Sequence, residues 1–380
     1  AFYPTNVFRG GHKLTIPGFT SWSPPSLTIT NDWIEFENKW QRANLDDSIR
    51  KYPVTPARGL CERPLGSVSR GFFDPESRTL YTAVNYPGEF SHIASIDIDS
   101  GRMRKICEIE TPALYYVTSL AYDPESGTLF FTTDNSKGFR DLNSVDIATG
   151  RTRVLFKNSR TGDLVYDRAD STIWGIMHDN GFSSIVMFPH PYRDAYELVK
   201  FRYGIDMFDI DISPDGRHLT GTMTDISGRQ RLIRMETGRL MAGDGTWELI
   251  HEFHDNNAAN FVHSPDGRYL YGTSYVTGAS NIFRFDLEEW RLEALSNFET
   301  GGFRPIPVSE DSMIAFLYTS GGFEPAMIPV MPIEDVAAVR YLGQAVVVDH
   351  PEVMEWKLSS PREIEIDSFK TYEGEYSPAT

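Results

Sequence analysis

A short turn sequence that recurs along the chain constrains the fold more than any other feature. Two copies have the sequence Ser-Pro-Asp-Gly, at 213–216 and 264–267, and two have Asp-Pro-Glu-Ser, at 74–77 and 123–126. Two degenerate copies lie at 166–170 and 309–312. The second turn residues, at positions 75, 124, 168, 214, 265 and 310, are 49, 44, 46, 51 and 45 residues apart. This period is typical of a propeller blade, and the segments lack the 3.6-residue period of helical repeats.

A second turn follows several of these copies at a nearly constant distance. Gly101 and Gly150 each come 26 residues after the turn proline, and Gly238 and Glu289 each come 24 residues after it. Alternating segments such as Ile96-Asp97-Ile98-Asp99 flank the second turn, as expected of strands. Two hairpins in each repeat imply four strands. We therefore predict an all-β fold, a six-bladed β-propeller with four-stranded antiparallel blades.

The recurring turn is interpreted as structural rather than as a ligand site. Proline presets φ, aspartate bonds its own backbone and glycine accepts a positive φ, so the motif favours a hairpin connector. The copies at 213–217 and 264–268, each followed by an apolar strand, resemble the WD-like repeat of TolB-type propellers over roughly residues 64–330. This resemblance implies that a strand from the far terminus completes one blade. The residues before Arg63 are the expected donors.

The flanks of the repeat region predict two further parts. We expect an aromatic-rich arm at 1–62 with one helix at about 32–50, the propeller at 63–330, and a strand followed by a tail at 331–380. Asp32 and Glu35 have capping-box spacing, and Trp33, Phe36 and Trp40 fall on one stripe. We favour packing of this stripe on the propeller. The alternative is a docking surface for another domain or chain.

Charge and hydropathy narrow the classes of partner. The formal net charge of −17, without a basic block, argues against nucleic acid and against anionic membrane surfaces. No apolar run approaches the roughly 20 residues that span a bilayer. The chain has no initiating Met and no signal-type stretch, which leaves open a processed or partial product. The TolB-type resemblance implies a bacterial protein of the periplasm or the extracellular space.

Signatures of metal and catalytic chemistry are missing from the sequence. The segment 251–254, His-Glu-Phe-His, is one residue too short for a helical zinc motif and falls in a predicted outer strand. Cys61 and Cys107 lack zinc-site spacing, and whether they pair or remain free thiols is left open. No nucleophile elbow, phosphate loop or dinucleotide fingerprint occurs. We expect no metal and no cofactor.

Candidate ligand-binding residues lie in the loops that a propeller gathers around its channel. The loops between second and third strands contribute Asp134, Asn135, His178, Asp179, Asp225 and Tyr275. The loops entering the innermost strands contribute Arg70, Ser119, Asp163, Asp206, Asp209, Asn260 and Arg304. The structural alternative is that Asp and Asn simply form turns and that Arg and Asp pair between blades.

Three functions compete at this point. The first is a non-catalytic binding or scaffolding module that recognises a protein or glycan, which predicts an exposed apolar or aromatic patch on one loop face. The second is a hydrolase or lyase for saccharides or peptides, with His178, Asp179, Asp209 and Arg304 converging on one pocket. The third is a subunit of an extracellular assembly that associates through the aromatic arm, or a fragment of a larger peptidase, propeller and outer-membrane barrel protein.

Overall fold

The structure, a computed structural model, describes residues 53–109, 119–254, 256–333 and 351–352. Within these residues the chain forms six antiparallel β-sheets and one short helix. The sheets are the blades of a six-bladed β-propeller, which confirms the predicted fold class. The predicted helix at about 32–50 and nearly all of the predicted tail at 331–380 lie outside the described residues.

The strands follow one another blade by blade. The first is β1 (Arg58–Gly59), which belongs to blade 6. Blade 1 contains β2 (Ser67–Val68), β3 (Phe72–Asp74), β4 (Thr79–Asn85), β5 (His92–Asp97) and β6 (Met103–Glu108). Blade 2 contains β7 (Leu120–Asp123), β8 (Thr128–Asp134), β9 (Arg140–Asp146) and β10 (Thr152–Phe156). Blade 3 contains β11 (Thr161–Asp167), β12 (Thr172–Asp179), β13 (Phe182–Phe188) and β14 (Tyr196–Lys200).

The second half of the propeller repeats this arrangement. Blade 4 contains β15 (Asp206–Ile212), β16 (His218–Thr224), β17 (Gln230–Glu236), the helix α1 (Thr237–Met241) and β18 (Glu248–His254). Blade 5 contains β19 (Ala259–His263), β20 (Tyr269–Thr277), β21 (Ala279–Asp286) and β22 (Arg291–Ala294). Blade 6 contains β23 (Gly302–Pro307), β24 (Ser312–Thr319) and β25 (Gly322–Pro329), with β1 as its outermost strand.

The ring is closed by an N-terminal strand. β1 pairs antiparallel with β25, so that Arg58 lies opposite Met327 and Gly59 lies opposite Ala326. The Leu60 N–H continues the ladder by donating to the Pro325 carbonyl at 2.9 Å. A strand from before Arg63 therefore completes the last blade, as predicted.

The hydrophobic core lies between blades rather than within them. Each of six clusters of buried side chains joins two neighbouring blades, and together the clusters cover all six contacts around the ring. The second strand of a blade is covered on both faces, so five consecutive residues are buried in each of β4, β8 and β16. This explains why these strands lack the alternation of apolar and polar residues that a sheet with one solvent-facing side shows, and why the polar residues within their buried stretches are threonines.

The recurring turns connect the first and second strands of every blade. In blade 4 the Ser213 hydroxyl donates to the Asp215 carboxylate at 2.6 Å, and Gly216 has a φ of +70°. The second predicted turn of that blade is not a tight hairpin, because α1 is inserted there. The alternating segment 96–99 is likewise only partly strand: β5 ends at Asp97, whose carboxylate accepts the Ser100 N–H at 2.8 Å.

Successive antiparallel strands place the connections on two faces. The loops between second and third strands and the connections between blades share one face, here named the upper face. The turns between first and second strands and between third and fourth strands share the other, the lower face. Loops distant in sequence therefore meet around the channel.

Candidate functional site

A ring of polar side chains, one from each blade, lines the channel on the side of the upper face. The cavity that it encloses has a volume of about 60 Å³. Its polar lining residues, in the order of the blades, are Arg70, Ser119, Asp163, Asp209, Asn260 and Arg304. The structure thus brings together six of the seven residues that the sequence placed in the entering loops. That they bind a ligand stays a prediction.

Left-handed backbone conformations at bulges in the inner strands orient four of these side chains. Asp163, Asp209, Asn260 and Arg304 have φ values of +48°, +52°, +53° and +51°. Each lies where the pairing of the first and second strands shifts register, at equivalent positions in blades 3 to 6. A left-handed non-glycine residue costs about 1–3 kcal/mol. Such bulges re-aim side chains and are common near functional sites.

The charges of the ring are separated across the channel. Arg70 and Arg304 come from the adjacent blades 1 and 6, and Asp163 and Asp209 come from the adjacent blades 3 and 4 on the opposite side. Asp209 accepts two hydrogen bonds from Asn260, one from the backbone N–H at 3.0 Å and one from Nδ2 at 2.8 Å. The Ser119 hydroxyl contacts the Asp163 backbone N–H at 2.7 Å.

Burial shifts the ionisation of the two acids. Burial, reinforced by the neighbouring Asp209 charge, raises the pKa of Asp163 to about 6. Burial also raises the pKa of Asp209, although the hydrogen bonds from Asn260 and the charge of Arg304 oppose it. Carboxyl groups with raised pKa values in a cavity are candidate proton donors or acceptors near neutral pH.

A buried network crosses the channel below the ring. Arg70 of blade 1 forms an ion pair with Asp211 of blade 4 and donates to the Ile210 carbonyl at 3.0 Å. Asp211 also accepts the backbone N–H of His263 at 2.7 Å and contacts His263 Nδ1 at 2.9 Å. Burial opposes ionisation of Asp211, but Arg70 and His263 outweigh it and lower the pKa of Asp211 to about 2. This carboxylate therefore stays ionised.

A second cavity, of about 380 Å³, opens at the lower face. All six blades line it, with Phe72, Tyr122 and several prolines of the recurring turns among its walls. Arg70 and Val262 line both cavities. This lower cavity is not predicted from the sequence, because the turns that line it were interpreted only as connectors. The aromatic and proline content of the inner strand ends is the signal that indicates it.

His178 and Asp179 do not line the ring cavity. They are consecutive residues of β12, so their side chains point to opposite sides of the sheet. His178 Nε2 lies 3.0 Å from Asp206 Oδ1, and Asp206 also accepts a hydrogen bond from the Ser183 hydroxyl. Asp179 forms an ion pair with Arg160. Of the four residues assigned to one catalytic pocket, the cavity thus contains Asp209 and Arg304 only.

The remaining predicted residues make local loop contacts. Asn135 Oδ1 accepts the Lys137 N–H at 2.9 Å, which closes its turn. Asp134 lies 3.8 Å from the Arg140 guanidinium. Asp225 accepts the Ser227 N–H at 2.8 Å and pairs with Arg231 at 2.8 Å. These contacts agree with the structural alternative for those residues.

Tyr275 differs, because it belongs to a row of aromatic rings on the upper face. Its ring centroid lies 6.2 Å from that of Phe303, which lies 5.3 Å from that of Phe323. Phe323 in turn lies 5.4 Å from Tyr318. The row spans blades 5 and 6. Tyr275 and Tyr318 are 43% and 52% exposed, so the row presents rings to solvent beside the channel mouth.

Both cysteines are free thiols: Cys61 is half-buried and Cys107 is buried. Within the part of the chain that the structure describes, no group of three or more His, Cys, Asp or Glu side chains is arranged to hold a metal ion. No helix among those residues is long and apolar enough to cross a membrane.

Comparisons with known proteins identify the fold. No protein-family model and no curated protein matches the chain. Solved structures do match. Regucalcin, a calcium-binding protein from Agrobacterium tumefaciens, is 16% identical with a TM-score of 0.50, over 76% of this chain and 98% of that one. A gluconolactonase from Xanthomonas campestris is 15% identical with a TM-score of 0.50, over 73% and 91%. TolB from Acinetobacter baumannii is 14% identical with a TM-score of 0.46, over 77% and 70%. The chain is a six-bladed β-propeller with TolB-like structural neighbours.

Proposed function

We propose that the chain is a non-catalytic binding module that recognises a protein partner with the loops of its upper face. The observation that carries this proposal is the aromatic row from Tyr275 to Tyr318 beside the channel mouth. Exposed aromatic side chains are enriched in protein interfaces and supply much of their binding energy.

Further exposed apolar side chains on the same face support a broad contact surface. Phe90, Tyr203 and Ile226 are 80%, 75% and 90% exposed and lie in upper-face loops. With the aromatic row, they distribute apolar contacts over five of the six blades. A surface of this extent favours a protein as the partner. A single sugar ring would need only one or two aromatic rings to stack on it.

The proposal extends to the cellular location of the protein and to the family of its repeat. We place the protein in the bacterial periplasm or the extracellular space and relate its repeat to the TolB type, following the Ser-Pro-Asp-Gly-Arg copies at 213–217 and 264–268. Association through the arm at 1–62 belongs to the same proposal. The residues of the arm that precede 53 lie outside the described part of the chain.

Paired surface variants test the docking face. Tyr275→Ser with Tyr318→Ser removes the exposed ends of the row, and Trp290→Ser with Tyr196→Ser removes aromatics of matching exposure, 43% and 51%, elsewhere on the propeller. A partner protein that co-purifies with the wild type from the native host should be lost with the first pair of substitutions and retained with the second. A glycan array probed with the same proteins covers the alternative ligand. Equal recovery of partners by both pairs, or a glycan signal that depends on the row, would overturn the proposal.

An enzyme is the second candidate, and the raised pKa of Asp163, at about 6, favours it. Asp163 could exchange a proton with a substrate while Arg304 holds a negative charge across the cavity. Asp163→Asn should then abolish turnover in a panel of saccharide and peptide hydrolase and lyase substrates. Asp225→Asn, on the same face but outside the cavity, should leave it unchanged. If wild-type protein turns over none of these substrates, this candidate fails.

A further inference from the structure

The ring cavity contains a buried cation without a hydrogen-bonded counterion. Arg304 Nη1 is shielded from solvent and has no hydrogen-bond partner. Among the described residues, Arg304 also forms no ion pair, whereas Arg70 in the next blade pairs with Asp211. A buried polar group without a partner costs about 1–3 kcal/mol, and more when it is charged. Such a group in a native protein indicates an unaccounted ligand or water.

Among the described residues, neither Asp163 nor Asp209 is hydrogen-bonded or ion-paired to Arg304. Asp209 instead accepts hydrogen bonds from Asn260 on both carboxylate oxygens. Asp163 carries a raised pKa, so a large share of its carboxyl groups is protonated at mildly acidic pH. Burial lowers the pKa of Arg304, as expected for a guanidinium whose positive charge is only partly balanced by Asp209 and Asp163. The charge of Arg304 thus remains available to an incoming anion.

The size and shape of the cavity limit what that anion can be. A volume of about 60 Å³ accommodates roughly four to six water-sized groups, since each needs about 10–15 Å³. A carboxylate and the carbon that carries it fill this space, and a larger body must extend through the mouth toward the upper face. The planar guanidinium fork matches a planar carboxylate with two parallel hydrogen bonds.

We propose that Arg304 binds a carboxylate group in the ring cavity. Asn260 lines the same cavity. Asp163, when it is protonated, offers an O–H donor to the second oxygen of the bound carboxylate. The site does not depend on a protein partner at the upper face, because a free carboxylate reaches the cavity through the same mouth. The carboxylate is therefore that of a small organic acid or the terminal carboxylate of a peptide.

Acetate is the direct probe, because it fits the cavity without a body in the mouth. Titration of the isotope-labelled protein with acetate should shift the backbone amide signals of Asp163, Asp209 and Asn260 in a saturable manner. Methyl acetate has nearly the same shape without the charge and should shift none of them. In Arg304→Gln the acetate affinity should fall at least about 10-fold, the equivalent of 1.4 kcal/mol. Arg168→Gln, at an exposed arginine beside the lower cavity, is the matched control and should bind acetate as the wild type does.

Two comparisons keep the test decisive. If Arg304→Gln fails to fold, the contrast between acetate and methyl acetate on the wild-type protein still decides the outcome. A short peptide with a free C-terminus, compared with its C-terminal amide, separates the two sources: tighter binding of the free peptide than of acetate assigns a peptide terminus, and binding no tighter than acetate assigns a small acid. Acetate shifts that are absent, that methyl acetate reproduces, or that persist in Arg304→Gln would overturn the site.

Discussion

Arg70 reaches across the channel to form an ion pair with Asp211, a residue 141 positions away in the sequence. The two residues belong to blades 1 and 4, which face each other across the six-bladed ring. Arg70 lines both the ring cavity and the lower cavity. One ion pair thus links opposite sides of the propeller.

Removing Arg70 should destabilise the propeller. Arg70→Met keeps most of the apolar stem but removes the arginine partner of the Asp211 carboxylate, whose side chain is 9% exposed and which then keeps only its contacts with His263. Breaking a buried pair in this way costs on the order of 3 kcal/mol, measurable by urea unfolding. Arg78→Met breaks an ion pair whose side chains are 51% and 57% exposed and should change the unfolding free energy little. Equal effects of the two variants would contradict the assigned role of the Arg70 pair.

The stability of the protein should depend on pH through Asp163. Its pKa of about 6 in the folded state exceeds the value of about 3.9 for an unfolded chain, so the folded protein binds more protons between these values. Stability therefore falls as the pH rises from about 4 through about 6. Asp163→Asn removes this loss and should be more stable than the wild type by about 3 kcal/mol above pH 7, with little difference near pH 4. Urea unfolding at both pH values checks the prediction, and a pH-independent difference would contradict it.

The sequence predicts the fold of the protein better than the arrangement of its candidate functional site. The proline and glycine turns determine local conformation, so their spacing predicts six blades, whereas the closing strand is what the resemblance to TolB-type propellers implies. The ring residues Asp209 and Arg304 were identified only by their position before an inner strand. The convergence of Asp163, Asp209, Asn260 and Arg304 depends on register shifts in four separate blades, which no local pattern encodes. The sequence analysis predicts that His178 and Asp179 enter one pocket, yet adjacent strand residues face opposite sides of the sheet.

Closure of the ring should depend on Leu60, which follows β1. Leu60 is 1% exposed and packs in the cluster that joins blades 1 and 6. Leu60→Ala should lower the unfolding free energy by about 2–5 kcal/mol, because it leaves a cavity between the first and last blades. Arg58→Ala, an exposed position on β1 itself, serves as the control and should have little effect. Thermal unfolding of both variants distinguishes them.

The two cysteines should react as separate thiols. Burial raises the pKa of Cys107 to about 11, which keeps it in the unreactive thiol form near neutral pH. Alkylation of the native protein should therefore modify the half-buried Cys61 first and Cys107 only after unfolding. Mass spectrometry of peptides after brief labelling resolves the order. A disulfide between the two residues, or faster labelling of Cys107, would contradict the structure.

Site-specific photo-cross-linking is the most direct test of whether the upper face recognises a protein partner. A photoreactive phenylalanine derivative at position 318 or 275 places the probe on the aromatic row, and the same probe at position 196 or 290 places it on aromatics of similar exposure elsewhere. We predict that both upper-face probes capture the same partner protein in the native host and that neither control probe does so. Capture of that partner from positions 196 and 290 but not from 318 and 275 would contradict recognition by the upper face.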